Sequence, residues 1–472
     1  MKQVIPVIFL VLLSACAVGK KYVAPDMQAF DGESLKVESV DRFEATEPVA
    51  AWWRTLADPV LTDLVEEALV HNHDVRIAVA NLQEVRALLA NVRYDRFPTV
   101  ETSGAATAEG ASNDTPFGPL PDRENENYRA GLDVFWELDL FGRVSQRIND
   151  ATAVVQSREA DLNGAYVSVA AETALAYIQL RGAQYSLDVA DRNAANQSRT
   201  LDLIRELEDA GRGDRLDVLR AKTQLELTQS TIPILHADID AAIHRLGVLT
   251  GQTPDALHEQ LSAPQDLPSV PPSIAIGNLM DMLKRRPDIH RAERLLASAT
   301  AQYNLAVAEL YPSVTLGGSF GFSATALDNL GSSGTSTYSF GPSIRWAALN
   351  LGRVKAGIRA SDARTQASLA VFEQTVLRAL EETQTAVSNF SRREINRANL
   401  LEAASASAEA AELARLRFDA GVDDFLDVLD AERTMLQAQE RLAQSETLVL
   451  SDLIGIYKAL GGGWETQAGG SP

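Results

Sequence analysis

Apolar and polar positions alternate in short stretches of the chain, and this period of two is typical of β-strands with two unlike faces. Residues 127–140 read NYRAGLDVFWELDL, with an apolar or small side chain at every second position from Tyr128 onward. Residues 312–324 (PSVTLGGSFGFSA) and 337–346 (TYSFGPSIRW) alternate in the same way, and a Ser/Thr/Gly-rich stretch follows Pro98. The pattern predicts four strands, arranged as one β-hairpin in each half of the chain.

Helical periodicity dominates the rest of the sequence. Residues 147–208 and 353–419 lack proline and are rich in Ala, Leu, Gln, Glu and Arg. Each predicts a helix of about sixty residues, which at 1.5 Å per residue is a rod of roughly 90 Å. Glycines at 211 and 421 mark returns, each followed by a second helix. Antiparallel helical hairpins are therefore favoured over a solitary coiled-coil stalk.

The two halves of the chain repeat one plan. NHDVRIAVANLQEVRALLANVRYDRFPTV (residues 72–100) aligns with RPDIHRAERLLASATAQYNLAVAELYPSV (residues 286–314). DAGRGDRLDVLRAKT (residues 209–223) aligns with DAGVDDFLDVLDAER (residues 419–433). Each half is predicted to contain a helix of about thirty-five residues, a β-hairpin and a long helical hairpin, so the repeat organises the fold.

The repeat divides the chain into segments with different predicted roles. Residues 61–270 and 271–462 are the two repeats, and residues 16–60 form a segment before them that is expected to hold an anchor and part of an equatorial region. Residues 463–472 (GWETQAGGSP) are predicted to be a disordered tail. Residues 1–15 have one early charge and a short apolar run, which is the pattern of an export signal.

The cysteine at position 16 gives the signal its most specific feature. Leu13, Ser14, Ala15 and Cys16 resemble a bacterial lipobox, in which the peptide is cut before the cysteine and the cysteine carries acyl chains. In that resemblance Ala17 after the cysteine favours the outer membrane. An ordinary signal peptide with a chance cysteine is the alternative. Because the chain has one cysteine, an internal disulfide and a Cys₄ zinc site are excluded.

Charge and hydropathy restrict the possible partners. The chain of 472 residues has a net charge of −21 and no block of basic residues, which argues against nucleic acid as a partner. Beyond residue 16 no run of eighteen apolar residues occurs, so a membrane crossing would require strands. Four strands cannot close a membrane sheet within one chain, and insertion would need two, three or four copies. A soluble sandwich has the same alternation and stays open as an alternative.

Enzyme chemistry is poorly supported by the sequence. DDFLD, beginning at Asp423, has the DDxxD spacing with which helical isoprenoid synthases hold Mg²⁺ and a diphosphate. The equivalent stretch of the first repeat reads GDRLD, so a second aspartate-rich motif is missing. Nucleophile-elbow, P-loop and dinucleotide motifs do not occur, and the six histidines show no ligand spacing. The prediction is a protein that is not an enzyme and has no cofactor or metal beyond the lipid on Cys16.

Several passages, in order along the chain, resemble the outer-membrane factor family, specifically the TolC-like, NodT-type lipoproteins of resistance-nodulation-division (RND) efflux systems. These passages are YVAP at Tyr22, WWRTLADPVLTDLV at Trp52, DVRIAVANLQEVRA at Asp74, WELDLFGR at Trp136, RRPDIHRAERLLASATAQYNLAVAELYPSV at Arg285, LNLGR at Leu349 and AGVDDFLDVLDAER at Ala420. The resemblance covers nearly the whole mature chain. One departure is Asn350, where many relatives have an aromatic residue.

The resemblance implies an α+β membrane protein. Its expected form is a homotrimer with a twelve-strand outer-membrane β-barrel, four strands from each chain, continued by a long periplasmic α-helical barrel. The implied function is the passive exit channel of a tripartite RND-type efflux pump in the outer membrane of a Gram-negative bacterium. Its partners would be a periplasmic adaptor protein, an inner-membrane RND transporter and outer-membrane lipid. A type I secretion channel is the alternative, and a DDxxD isoprenoid synthase is a distant third.

The repeated turns are the predicted gate. If a helix includes Asp423, Asp427 and Asp430, their spacing of i, i+4 and i+7 places them on one face. Symmetry would copy these carboxylates into rings that require cationic partners. The expected gate residues are Asp423, Asp424, Asp427, Asp430, Asp214, Asp217 and Arg220, with adaptor contacts at Gly211, Gly213, Gly421 and Val422. The alternative is that these acidic residues only stabilise helix N-termini.

Overall fold

A computed structural model describes residues 18–26, 42–44, 46, 49–112 and 124–468 of the chain. Cys16 and the signal segment lie outside these residues. By internal contacts the chain divides into two compact units. The first unit contains residues 1–25, 81–159 and 291–373, and the second contains residues 26–80, 160–290 and 374–472.

Ten α-helices account for most of the described residues. Their bounds are α1 Pro59–His71, α2 His73–Tyr94, α3 Arg143–Asp209, α4 Arg215–Leu249, α5 His258–Leu261, α6 Leu279–Arg285, α7 Pro287–Ala308, α8 Leu351–Asp419, α9 Phe425–Ala459 and α10 Glu465–Ala468. The two long helices, of 67 and 69 residues, confirm the prediction from the proline-free stretches. None of the helices in the described part of the chain contains an apolar stretch of the length that a membrane-spanning helix requires.

The first unit contains the predicted four strands. They are β1 Thr99–Gly110, β2 Glu124–Leu138, β3 Ser313–Ala324 and β4 Ser336–Arg345, and they form one antiparallel sheet in the order β1-β2-β3-β4. Strands β1 and β4 are the two edges of this sheet, and each pairs with one neighbour within the chain. A second, two-residue pairing in the other unit joins Phe43–Glu44 to Ile274–Ala275 in parallel.

The sheet has one apolar and one polar face. A row across three strands joins Leu132 to Phe320 and Phe320 to Tyr338, all of which carry large apolar rings or chains. The next row along the strands joins Glu101, Asp133, Ser319 and Ser339, whose side chains point to the other side because strand neighbours alternate. On edge strand β4 the side chains of Tyr338 and Phe340 are 85% and 82% exposed.

Equivalent tryptophans secure the hairpin of each half. Trp136 at the end of β2 donates its indole N–H to the carbonyl of Arg96 at 3.0 Å. Trp346 after β4 donates in the same way to the carbonyl of Leu310 at 3.0 Å. In both halves the acceptor lies just before the first strand of the hairpin, so the sequence repeat is also a repeat of hydrogen bonding.

The second unit has an aromatic and aliphatic core. Trp52 stacks on Tyr457 with ring centroids 5.0 Å apart, and Trp53 meets Trp52 edge to face. The Tyr177 hydroxyl donates to Asp58 at 2.7 Å, and burial raises the pKa of Tyr177 to about 12. Asp58 also caps α1 by accepting from the amide of Leu61.

The predicted thirty-five-residue helix at the start of each half is wrong, because each is two helices. In the first half Asn72 separates α1 from α2, and its side chain accepts from the amide of Asp74 and donates to the carbonyl of Leu249. In the second half Arg286 separates α6 from α7 with an extended ψ of 123°. Pro287 follows it, and the residue before a proline is disfavoured in the helical region.

The tail predicted to be disordered from residue 463 begins instead with ordered structure. Helix α10 covers Glu465–Ala468, and Glu465 pairs with Arg285 at 3.0 Å. Trp464 before it is half-buried, and burial of a large aromatic ring opposes disorder. Residues 469–472 lie outside the described part of the chain.

Candidate functional site at the two helix turns

The two helix turns of the second unit have the same backbone geometry. At the end of α3, Gly211 has φ +70°, and the amide of Arg212 donates to the carbonyl of Leu207 at 2.8 Å. At the end of α8, Gly421 has φ +69°, and the amide of Val422 donates to the carbonyl of Arg417 at 2.9 Å. Both are Schellman turns, in which a left-handed residue after the helix allows the last carbonyls to be satisfied. The predicted returns at Gly211 and Gly421 are confirmed.

One aspartate at each turn caps the helix that follows. Asp214 accepts from the amide of Leu216 at 3.0 Å and begins α4. Asp424 accepts from the amides of Leu426 and Asp427 at 2.9 and 3.4 Å and begins α9. These contacts satisfy amides at the helix N-termini, as N-caps do. For these two aspartates the structure supports the capping role that the sequence left open.

Asp423 does not share a helix face with Asp427 and Asp430, because α9 begins only at Phe425. That prediction is wrong for Asp423. Its carboxylate instead accepts two hydrogen bonds from the Arg417 guanidinium, the longer at 2.9 Å. The hydrogen bond to Arg417 holds the pKa of Asp423 below its ordinary value. The pair links the end of α8 to the segment after the turn.

Of the other charged residues near the turns, Arg215 of α4 pairs back with Glu208 of α3 at 3.3 Å, and two further pairs lie within single helices. Arg220 lies 3.2 Å from Asp217, three residues earlier on α4. Asp430 pairs with Arg433 in the same spacing on α9. Arg220, Asp430 and Arg433 line one cavity of about 390 Å³ together with the partly exposed Leu216, Leu219, Leu426 and Leu429. The structure thus brings Arg220 and Asp430, which occupy equivalent repeat positions, to one groove.

A small apolar core holds the four helices together beside the turns. It contains Leu201 and Ile204 of α3, Val218, Ala221 and Leu225 of α4, and Phe425 and Val428 of α9. Phe418 of α8 meets Phe425 edge to face at 5.8 Å. Helices of both repeats therefore contribute to the core that lies next to the turns.

A buried carboxylic acid lies next to this core. Glu432 of α9 is 7% exposed, accepts from the Thr200 hydroxyl at 3.2 Å, and lies 3.9 Å from Arg415. Burial raises the pKa of Glu432 above its ordinary value. Sequence reasoning missed both Glu432 and Arg417. The position of Arg417 in the last helical turn was the one available signal, since basic residues there can reach groups beyond the helix end.

Exposed apolar and charged side chains surround the two turns. Within the described residues, no group of three or more His, Cys, Asp or Glu side chains is placed to hold a metal ion. The side chains of Val422 and Asp430 are exposed, at 65% and 64%. The two turns thus combine the same backbone geometry with charges of both signs.

The model of the family described as "Outer membrane efflux protein" matches residues 64–252 and 278–462 of the chain. The protein belongs to the outer membrane efflux protein family. The two matched segments each contain one of the repeated turns and one β-hairpin.

Similar proteins agree with membership of the outer membrane efflux protein family. The solvent efflux pump outer membrane protein SrpC of Pseudomonas putida is 29% identical over 98% of both chains. The antibiotic efflux pump outer membrane protein ArpC of the same species is 30% identical over 89% of this chain and 86% of its own. The solved outer-membrane channel OprN is 41% identical and superposes with a TM-score of 0.88, covering 95% of this chain and all of OprN. The resemblance found in the sequence is confirmed.

Proposed function

We propose that the protein is the outer-membrane exit conduit of a tripartite efflux pump of the RND type. The observation that carries the proposal is the four-stranded sheet, whose exposed apolar face is bounded by two edge strands that each pair on one side only among the described residues. In lipid, every backbone amide and carbonyl requires a partner, so such a sheet is stable only when its edges are closed. Edge strand β4 of one copy would pair with edge strand β1 of the next.

Three copies would close the sheet with twelve strands. The apolar row through Leu132, Phe320 and Tyr338 would face lipid, and the row through Glu101 and Asp133 would face the aqueous lumen. Helices α3 and α8 with their partners α4 and α9 would continue the conduit into the periplasm. An adaptor protein and an inner-membrane RND transporter would complete the pump and supply the energy. The names of SrpC and ArpC support small organic compounds as cargo.

The two turns would form the periplasmic gate of this conduit. Gly211, Gly213, Gly421 and Val422 would meet the adaptor, and the charges around them would hold adjacent hairpins together. Asp430 lines the same groove as Arg220 and is well placed to make contacts between hairpins, and Asp427 lies about one helical turn before it on α9. Adaptor binding would shift the turns from a closed to an open arrangement. Acyl chains on Cys16 would anchor each chain in the outer membrane.

The assembly is tested by the mass of the detergent-extracted protein together with its conductance in planar lipid bilayers. The expected result is three chains per particle and a conducting pore. A monomer that does not conduct would reject the conduit.

The gate is tested separately in the same bilayers. Reversal of charge in Asp430→Lys is expected to raise single-channel conductance several-fold, because it removes an attraction across the groove and places like charges there. Glu440→Lys, at an exposed position farther along α9, is the matched control and should conduct like the wild type. Equal, low conductance of both variants would reject the gate and leave the conduit intact.

A further inference from the structure

The described N-terminal segment, residues 18–26, is held by one buried amide side chain. Asn304 of α7 is 4% exposed. Its Oδ1 accepts from the backbone N–H of Lys20 at 2.8 Å, and its Nδ2 donates to the carbonyl of the same residue at 2.9 Å. One side chain thereby satisfies both backbone groups of one residue, as a neighbouring strand would. Asn and Gln carry an N–H donor and a carbonyl acceptor side by side on one planar amide, which matches the spacing of a backbone N–H and C=O.

The residue before Lys20 must be glycine for this contact to exist. Gly19 has φ +127°, a conformation that side chains disfavour. A β-carbon at this position would lie 2.3 Å from Oδ1 of Asn304. The two residues are therefore matched, and we name them the Gly19–Asn304 clamp.

Side-chain contacts of Lys20 and Tyr22 fix the segment further. The Lys20 ammonium lies 4.9 Å from the centre of the Tyr303 ring and 3.8 Å from Asp362. The Tyr22 hydroxyl donates to the Glu293 carboxylate, and the Arg294 guanidinium lies over the Tyr22 ring. Burial, together with the Glu293 hydrogen bond, raises the pKa of Tyr22, so its hydroxyl stays a donor at all physiological pH values.

These contacts give the segment a direction. Tyr22 lies at Glu293 and Lys20 lies at Asn304, so the chain approaches the C-terminal end of α7 as it runs back toward its N-terminus. That helix ends at Ala308 and strand β3 begins at Ser313. Cys16 is four residues from Lys20, and four residues span at most about 14 Å. Because Lys20 is fixed near this end of α7, the chain length between the two residues limits how far Cys16 can lie from the sheet.

We propose that the Gly19–Asn304 clamp fixes the point at which the acyl chains of Cys16 enter the bilayer, beside the chain's own sheet. This inference rests on the lipid anchor of the proposed function and assigns Asn304 as a positioning residue for it. A short tether raises the effective concentration of the attached group at its target, and a loose tether lowers it. With the clamp intact, the anchor holds the sheet at the membrane surface, where its edges meet other copies.

The clamp is tested first by proteolysis of the full-length protein in outer-membrane fractions. Trypsin cuts after Lys20 or Lys21 only when this segment opens, and the cut releases the N-terminal peptide for mass spectrometry. Asn304→Leu removes two hydrogen bonds and should speed the cut by about thirtyfold. Gly19→Ala should also speed the cut, because its β-carbon would clash with Asn304. This second variant leaves the residues of α7 unchanged. Gln302→Leu, an exposed neighbour on α7 that contacts Asp150 instead, should keep the wild-type rate.

The positioning role is tested by the fraction of chains inserted in the outer membrane, with and without Cys16. Asn304→Leu should lower insertion several-fold when Cys16 is present and should have no further effect in a Cys16→Ser background. An equal loss in both backgrounds would show that Asn304 only stabilises the fold, and unchanged trypsin cleavage would show that no clamp exists. Each result would overturn the inference while the pore still conducts. A released peptide without acyl chains would overturn the lipid anchor and the inference together.

Discussion

Arg417 and Asp423 connect the end of one helix to the start of the next through a pair of parallel hydrogen bonds. Because this pair lowers the pKa of Asp423, its stabilising effect is present above the ordinary aspartate pKa and is lost as pH falls through the lowered value. Arg417→Met should therefore speed amide hydrogen exchange at residues 420–424 several-fold at pH 7. The difference from the wild type should vanish in acid.

Arg433→Met is the matched control for this turn. Arg433 pairs with Asp430 within α9 and does not bridge the turn, so exchange at residues 420–424 should stay at the wild-type rate. Equal acceleration in the two variants would mean that net charge, and not the Arg417 pair, protects the turn.

Glu432 has the opposite dependence on pH. Its pKa is raised by burial, so its contribution to the free energy of unfolding is most favourable below the ordinary glutamate pKa and is lost as pH rises through the raised value. Glu432→Gln should increase the thermal midpoint at pH 7 by a few degrees and have little effect near pH 4. Glu440→Gln, on an exposed part of α9, should change the midpoint at neither pH. A lower midpoint for Glu432→Gln at pH 7 would contradict this assignment.

The sequence could identify the charged residues of the turns but not their partners. Asp423 was expected on a helix face because its spacing to Asp427 is helical, but the helix starts two residues later, after an N-cap at Asp424. Because Asp423 lies one residue before the N-cap of α9, its carboxylate pairs with Arg417 of α8. Glu432 was missed for a related reason, since it is buried where α9 packs near Thr200 of α3 and Arg415 of α8, which are distant in the sequence or on another helix.

At the scale of elements, the two repeats conserve backbone geometry while their side chains differ. Gly211 and Gly421 have nearly the same φ, and a β-carbon at either would have open space around it. An alanine at either position should therefore cost about 1 kcal/mol, all of it from the left-handed backbone. Gly357 lies within α8 with equally open surroundings, so Gly357→Ala should stabilise by about 0.5–1 kcal/mol. Chemical denaturation of the three variants measures the change in the free energy of unfolding, which should fall for the two turn variants and rise for Gly357→Ala.

Long helices and strands were predictable because their periodicities extend over many residues. The proline-free stretches matched α3 and α8 closely, and alternation identified the hairpins. The helix breaks at Asn72 and Arg286 were not predicted, because the helical periodicity of the sequence continues across both positions. One break has a local cause and the other depends on a tertiary contact. Pro287 is visible in the sequence, but the bond from Asn72 to Leu249 joins residues far apart in the chain.

For the whole molecule, we predict that a lysine on the apolar face of the sheet impairs membrane insertion and that a lysine on the polar face does not. Phe340 lies on the apolar face, and Ser339 beside it points to the polar face, where it meets Ser319 at 2.7 Å. Phe340→Lys should impair insertion by up to about 2–4 kcal/mol, the cost of a cation facing the lipid midplane. Ser339→Lys should insert normally because its ammonium faces water. The heat-resistant fraction in electrophoresis of membrane extracts measures insertion, and equal loss in both variants would contradict the assignment of faces.

The edge strands of the sheet also matter before copies of the chain assemble, while each chain is surrounded by water. An unpaired strand of large apolar residues would invite aggregation there. Strand β1 instead reads TVETSGAATAEG, with one valine and two glutamates among small residues. This edge can therefore pair with another copy of the chain while it presents few apolar side chains to other molecules, in contrast to the edge at β4, where Tyr338 and Phe340 are exposed.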